Sequence, residues 1–170
     1  MPWKFSPTHS QVAWECRYLG IMTIKGLFTN LEVVLDQRGD DPRNWGVEAR
    51  IDPASIDSGL PRRDEVLRGP DYLDAERYPS IVFRATRLEP RDGGYRATGE
   101  LTIHGVTRPI VLDLVDRGET TGPRGQRYHV VSTDVTLKRT DFGVGQPPPP
   151  GTGVADEVRL SCQIEFVWED

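Results

Sequence analysis

Tyr95 to Leu114, YRATGELTIHGVTRPIVLDL, decides the fold class. Tyr95, Ala97, Gly99, Leu101 and Ile103 occupy every second position, with mainly polar residues between them. A period of two places the first set on one face of an extended strand. His104-Gly105 then forms a short turn, and Ile110, Leu112 and Leu114 resume the alternation. Two amphipathic strands joined by a tight turn make a hairpin with one apolar face. That face must be buried against something.

Working outward, the same pattern recurs along most of the chain. Downstream, Val131, Thr133, Val135 and Leu137 align, as do Val158, Leu160, Cys162, Ile164, Phe166 and Trp168. The polar run Asp116–Gly125 reads as a long hairpin loop, and Lys138–Gly153 as a Gly- and Pro-rich loop. Upstream, Asp92-Gly93-Gly94 is a hairpin signal leading back to Ile81, Phe83 and Ala85. Trp45, Val47, Ala49 and Ile51 share a face, as do Val12, Trp14, Cys16 and Tyr18. Met22–Phe28 and Leu31–Asp36 complete the set, and residues 3–10 read as a lead-in. About eight strands joined by hairpin-length connections predict an antiparallel sheet. Such a sheet can form a sandwich or curl into a barrel, and a barrel would bring the first and last strands together.

Ser55–Pro79 breaks the pattern. It holds Gly59, Pro61, Gly69, Pro70 and Pro79, with ten charged residues between Asp57 and Arg77. The spacing predicts two short helices, Arg62–Arg68 and Asp71–Glu76, the second capped by Asp71. A connection of this length inside a sheet domain reads as a cover or binding loop. The expected architecture is an all-β, eight-stranded antiparallel barrel with a helical cover, one domain over residues 1–170.

Composition narrows the function classes. A net charge of −5 argues against a nucleic-acid or anionic-membrane footprint. No apolar run approaches the ~20 residues that span a bilayer, so stable membrane insertion is not expected. The start, MPWKFSPTHS, shows neither a basic nor an apolar leader region, which makes a cytoplasmic location the expectation. His9, His104 and His129 stand apart without zinc-ligand spacing, so neither a metal nor a cofactor is expected. Cys16 and Cys162 read as reduced buried thiols, with a disulfide as the alternative if their strands meet. Arg38-Gly39-Asp40 reads as an exposed turn, and Pro147 to Pro150 as a stiff rim loop.

Seven short motifs then fall in order along the chain. They are His9-Ser10-Gln11-Val12, Gly26-Leu27-Phe28, Ser55-Ile56-Asp57-Ser58-Gly59, Arg63-Asp64-Glu65-Val66-Leu67, Tyr72-Leu73-Asp74 with Tyr78-Pro79-Ser80-Ile81-Val82-Phe83, Gly99–Thr107, and Arg139-Thr140-Asp141-Phe142-Gly143. Together they resemble the YceI-like family of lipocalin-like barrels that bind polyisoprenoids or other long amphiphilic lipids. Two positions depart from that family's pattern: Ser6 stands where an Asp precedes the His-Ser pair, and Tyr18 where a His ends the first strand.

The resemblance implies a non-enzymatic carrier of a long-chain amphiphilic lipid, isoprenoid-like or a fatty acid or amide. Its expected lining is Val12, Trp14, Cys16, Trp45, Val47, Phe83, Leu101, Ile103, Leu112, Val135, Phe142, Cys162 and Ile164. Ordinary core packing is the other reading of the same residues. The small inward residues Ala49, Ala85, Ala97, Gly99 and Cys162 favour unfilled space. Arg63, Asp64, Arg139 and Asp141 read as a network that fixes loops, or as contacts to a head group. Two further functions stay open: an enzyme using His104 or Asp141 as acid or base, and a structural module that forms a homodimer through an outer sheet face.

Overall fold

A computed structural model describes residues 3–147 and 153–170. Ten strands form one antiparallel sheet: β1 (Trp3–Tyr18), β2 (Met22–Phe28), β3 (Leu31–Asp36), β4 (Gly46–Ile51), β5 (Ile56–Asp57), β6 (Ile81–Arg91), β7 (Gly94–Ile103), β8 (Val106–Thr121), β9 (Arg127–Lys138) and β10 (Val154–Trp168). Their order is β3-β4-β6-β7-β8-β9-β10-β1-β2-β5. The first and last long strands do pair, from Trp3 opposite Trp168 to Tyr18 opposite Val154. That pairing lies inside the sheet, however, and the free edges are β3 and the two-residue β5. The sheet curls into a half-barrel that brings β3 alongside β1, where Gln37 Nε2 donates to Trp3 O at 2.9 Å.

The strand count is ten rather than eight, for local reasons. Residues 3–10 are part of β1, not a lead-in. A register shift between Ser6 and Gln11 hid their alternation. This bulge is locked onto β10. Ser10 Oγ donates to Ser6 O and accepts the Glu165 N–H, and His9 Nδ1 lies 2.5 Å from Glu165 Oε2. Strands β8 and β9 extend to Thr121 and Arg127, so the loop expected over Asp116–Gly125 shrinks to its tip. A bulge between Asp116 and Gly118 interrupts the alternation there.

The cover also departs from expectation. Helix α1 spans Pro61–Arg68, with Pro61 in its first turn. Asp64 is buried and accepts the Ser58 N–H at 2.9 and 3.1 Å, while Arg63 Nε donates to Ser58 Oγ at 2.8 Å. Residues 71–76 are turns, not a second helix. The N–H groups of Leu73, Asp74 and Ala75 bond to the carbonyls of Leu67, Gly69 and Arg68. They satisfy the acceptors left over at the end of α1, which a second helix would have left orphaned.

Gly99 corrects another expectation. A Cβ there would lie 2.0 Å from Arg84 O and 2.8 Å from the Ala85 Cα. It permits β6 to approach at its bulge between Ala85 and Arg87, and is not a device for emptying the interior. The bulge changes the parity of β6, so Phe83 and Leu88 both face inward although five residues separate them.

Candidate functional site

The alternation delivers an apolar interior that is not filled. Two adjoining cavities run along it, of about 220 Å³ and about 120 Å³. For scale, an apolar void of about 150 Å³ accepts a benzene-sized guest. Ile51 and Leu160 line both cavities and stand at the boundary between them. Inward residues of β10 run from Val158 in the smaller cavity to Phe166 in the larger one, a strand path of about 27 Å. The shape therefore suits an extended chain better than a compact molecule.

The larger cavity holds Val12, Trp45, Val47, Phe83, Leu101, Leu112, Val135, Cys162 and Ile164 of the expected lining. The smaller one, beneath the cover, holds Trp14, Cys16, Ile103 and Phe142. Sequence reasoning placed Leu67, Tyr72 and Leu73 in motifs of the cover but not in the lining, where they reach the smaller cavity together with Val144 from the following loop. Their signal was masked by the irregular backbone, where no period marks an inward face. Gly26 lets the cover settle: a Cβ there would lie 2.3 Å from Asp57 O and 2.8 Å from the Trp14 indole.

Polar groups frame the smaller cavity without offering themselves to it. Arg139 is buried, and its guanidinium donates to four backbone carbonyls. Nε reaches Ala155 at 3.0 Å, Nη1 reaches Val144 at 2.9 Å and Gln146 at 2.8 Å, and Nη2 reaches Val154 at 2.9 Å. Among the described residues no carboxylate forms an ion pair with it. The side chain thus holds the loop after β9 against the start of β10. Asp156 completes the clamp by accepting the Thr140 hydroxyl at 2.7 Å and its N–H at 3.0 Å. The Thr140 hydroxyl holds the Asp156 carboxyl below the usual carboxylate range, with Arg139 and Lys138 adding to the effect. Pro148–Pro150 of the expected rim loop lie outside the described residues.

The candidate acid/base groups point elsewhere. His104 takes a positive φ of 54° at the β7–β8 turn, and its ring sits 4.6 Å from that of Tyr78. Asp141 is exposed, and its backbone carbonyl accepts from Arg108 Nε at 2.7 Å. Neither side chain lines a cavity.

The two thiols occupy different compartments. Cys162 stands opposite Val12 and Cys16 opposite Val158, an offset of four residues between neighbouring strands. That is roughly 13 Å, beyond disulfide reach. Both cysteines are free. Burial pushes the Cys162 thiol up to about 11, helped by Asp134. Burial raises Cys16 too, opposed by the positive charges of Arg139 and Arg63.

The opposite end of the larger cavity is closed by side chains on strands. Trp3 meets Trp168 and His129 edge-on, at 5.1 and 5.4 Å between ring centroids. The Arg127 guanidinium lies 4.3 Å over Trp168, and His129 Nε2 is 2.7 Å from Asp116 Oδ1.

This curled sheet has counterparts. The YceI-like domain model matches residues 3–166. The chain belongs to the YceI-like family. A UPF0312 protein of Photorhabdus laumondii is 29% identical over 161 residues, covering 95% of this chain and 82% of that one. The crystal structure of Burkholderia cenocepacia BcnA superposes with a TM-score of 0.81 at 23% identity, covering 95% of this chain and 99% of that one. A polyisoprenoid binding domain from Saccharophagus degradans, implicated in plant cell wall breakdown, superposes at 0.74 with 12% identity over 99% of both chains. These last two likenesses concern the fold. Within the YceI-like chain, the arginine of the Arg139–Gly143 motif clamps a loop and the His9-Ser10 motif locks a bulge. Among the described residues no helix is long and apolar enough to cross a membrane, and no cluster of three or more potential metal ligands occurs.

Proposed function

We propose that the curled sheet works as a lipocalin-like barrel that binds and carries a long amphiphilic lipid, isoprenoid-like or a fatty acid or amide, without transforming it. The observation that carries this reading is the pair of adjoining apolar cavities. The polyisoprenoid binding domain with the same fold points to the same ligand class. Each buried CH₂ contributes about 0.8 kcal/mol. About ten of them offset much of the association cost and give micromolar or tighter binding.

Native mass spectrometry of the protein purified from cells tests the proposal, because a retained guest appears as added mass. Phe83→Glu and Ile103→Glu place a carboxylate in the larger and the smaller cavity respectively. Each should reduce uptake of geranylgeraniol or a long-chain fatty acid at least a hundredfold, while circular dichroism still reports the sheet. An empty protein that also fails to bind either compound in titration overturns the reading.

A further inference from the structure

The tip of the β1–β2 hairpin carries its apolar residues on the outside. Tyr18, Leu19, Ile21 and Met22 are all exposed, Ile21 at 84% of its full surface. They flank a turn in which Leu19 itself adopts a positive φ of 54°. A bulky apolar residue fits that conformation poorly, and Asn or Gly would fit it better. The tip therefore departs from what both solubility and backbone geometry favour.

Its position suggests why. Tyr18 pairs with Val154, and Cys16 lies two residues before it on the same strand. Val154 and Cys16 both line the smaller cavity. Leu19 N donates to Gly153 O, which fixes the tip beside that cavity. On the cover, Leu60 and Val66 are also exposed, and Leu67 lines the same cavity. From Cys16 to Phe28 the chain holds Arg17 and Lys25, both exposed, and no acid. Glu15, across from Lys25, has Arg159 3.4 Å away.

We infer that this hairpin docks the protein on a lipid bilayer, with the tip in the head-group layer and the mouth of the smaller cavity facing the membrane. The inference rests on the lipid-carrier reading for its purpose and on the surface alone for its geometry. A narrow convex tip buries far less than the ~800 Å² per partner of a stable protein dimer. A bilayer interface accepts Leu, Ile, Met and Tyr at shallow depth and needs no shape match. Although the whole chain carries a net charge of −5, this hairpin is locally basic, and Arg17 and Lys25 suit anionic head groups. A guest leaving the cavity would pass directly into acyl chains and would not cross water.

The test uses the full chain and vesicles of phosphatidylcholine, with and without phosphatidylglycerol, in co-sedimentation. The protein should bind both, and more tightly with phosphatidylglycerol. Leu19→Asn combined with Ile21→Asp should weaken binding to both at least tenfold. Since Asn relieves the turn, this variant should keep its melting temperature. Arg17→Gln with Lys25→Gln should remove only the preference for phosphatidylglycerol. Geranylgeraniol supplied from solvent should still enter the Leu19→Asn/Ile21→Asp variant, which separates docking from carriage. If geranylgeraniol enters but the wild type ignores both vesicles, docking is overturned and carriage stands. Vesicle binding equal in wild type and variant also overturns docking, as does a wild-type dimer in sedimentation that the variant dissolves. Vesicle binding that follows the hairpin, with no uptake of geranylgeraniol, upholds docking and removes carriage.

Discussion

The two ends of the interior are closed in different ways. At the helical end, irregular chain does the closing. Its position depends on a few polar side chains bonded to backbone: Arg139 to four carbonyls, Asp64 and Arg63 to Ser58. At the other end the closing groups, Trp3, Trp168, His129 and Arg127, stand on strands already held by ladders. The first end can change shape by exchanging a handful of hydrogen bonds. At the second, the backbone is fixed by the sheet and only side chains can move. On the proposed lipid-carrier reading, the difference assigns passage of a guest to the covered end and rigidity to the aromatic one.

The largest expected effect follows from removing the clamp. Arg139→Met removes the donor from four backbone carbonyls, two in the loop after β9 and two at the start of β10, and should cost about 2–4 kcal/mol in urea unfolding. The loss should be concentrated in faster amide exchange over residues 139–147. Uniform exchange across the molecule would dissolve the contrast between the two ends.

The two thiols sharpen the same comparison at the level of chemistry. The folded Cys162 pKa of about 11 lies above the ordinary thiol value of 9.0. The unfolded chain therefore loses this proton first, and stability should fall as pH rises from about 9 to about 11, then level. Cys162→Ala should flatten that slope. Iodoacetamide should modify Cys16 faster than Cys162, because two arginines favour the Cys16 thiolate while burial disfavours both. Equal rates would mean that the cavities are equally open.

The smallest effect belongs to the aromatic end. Arg127→Ala removes a partly exposed guanidinium from Trp168 and should lower stability by about 0.5–1 kcal/mol. Loss of lipid uptake in this variant, measured by titration, would show that guests use the far end as well.

Much of the interior was legible in the sequence. Phe83, Leu101, Ile103, Val135 and Ile164 face inward because alternation assigns a side to every residue of an unbroken strand. The failures gather where alternation is interrupted. The bulge after Ser6 concealed the first half of β1, and the bulge before Gly118 made the ends of β8 and β9 look like loop. Leu67, Tyr72 and Leu73 were not assigned to the lining because turns and a two-turn helix carry too short a period to reveal a face.

Period-two patterning is a property of neighbouring residues, so the chain alone determined that an antiparallel sheet would bury one continuous apolar face, and its ordered motifs determined the family. Which edges remain free, why Gly99 must lack a side chain, where residues 71–76 spend their N–H groups, and which cavity each thiol enters all depend on segments distant along the chain. Those outcomes are set by where bulges bend the strands and by which carbonyls are left unpaired. Only the folded arrangement decides them, because no local pattern records the partner that a curved sheet brings near.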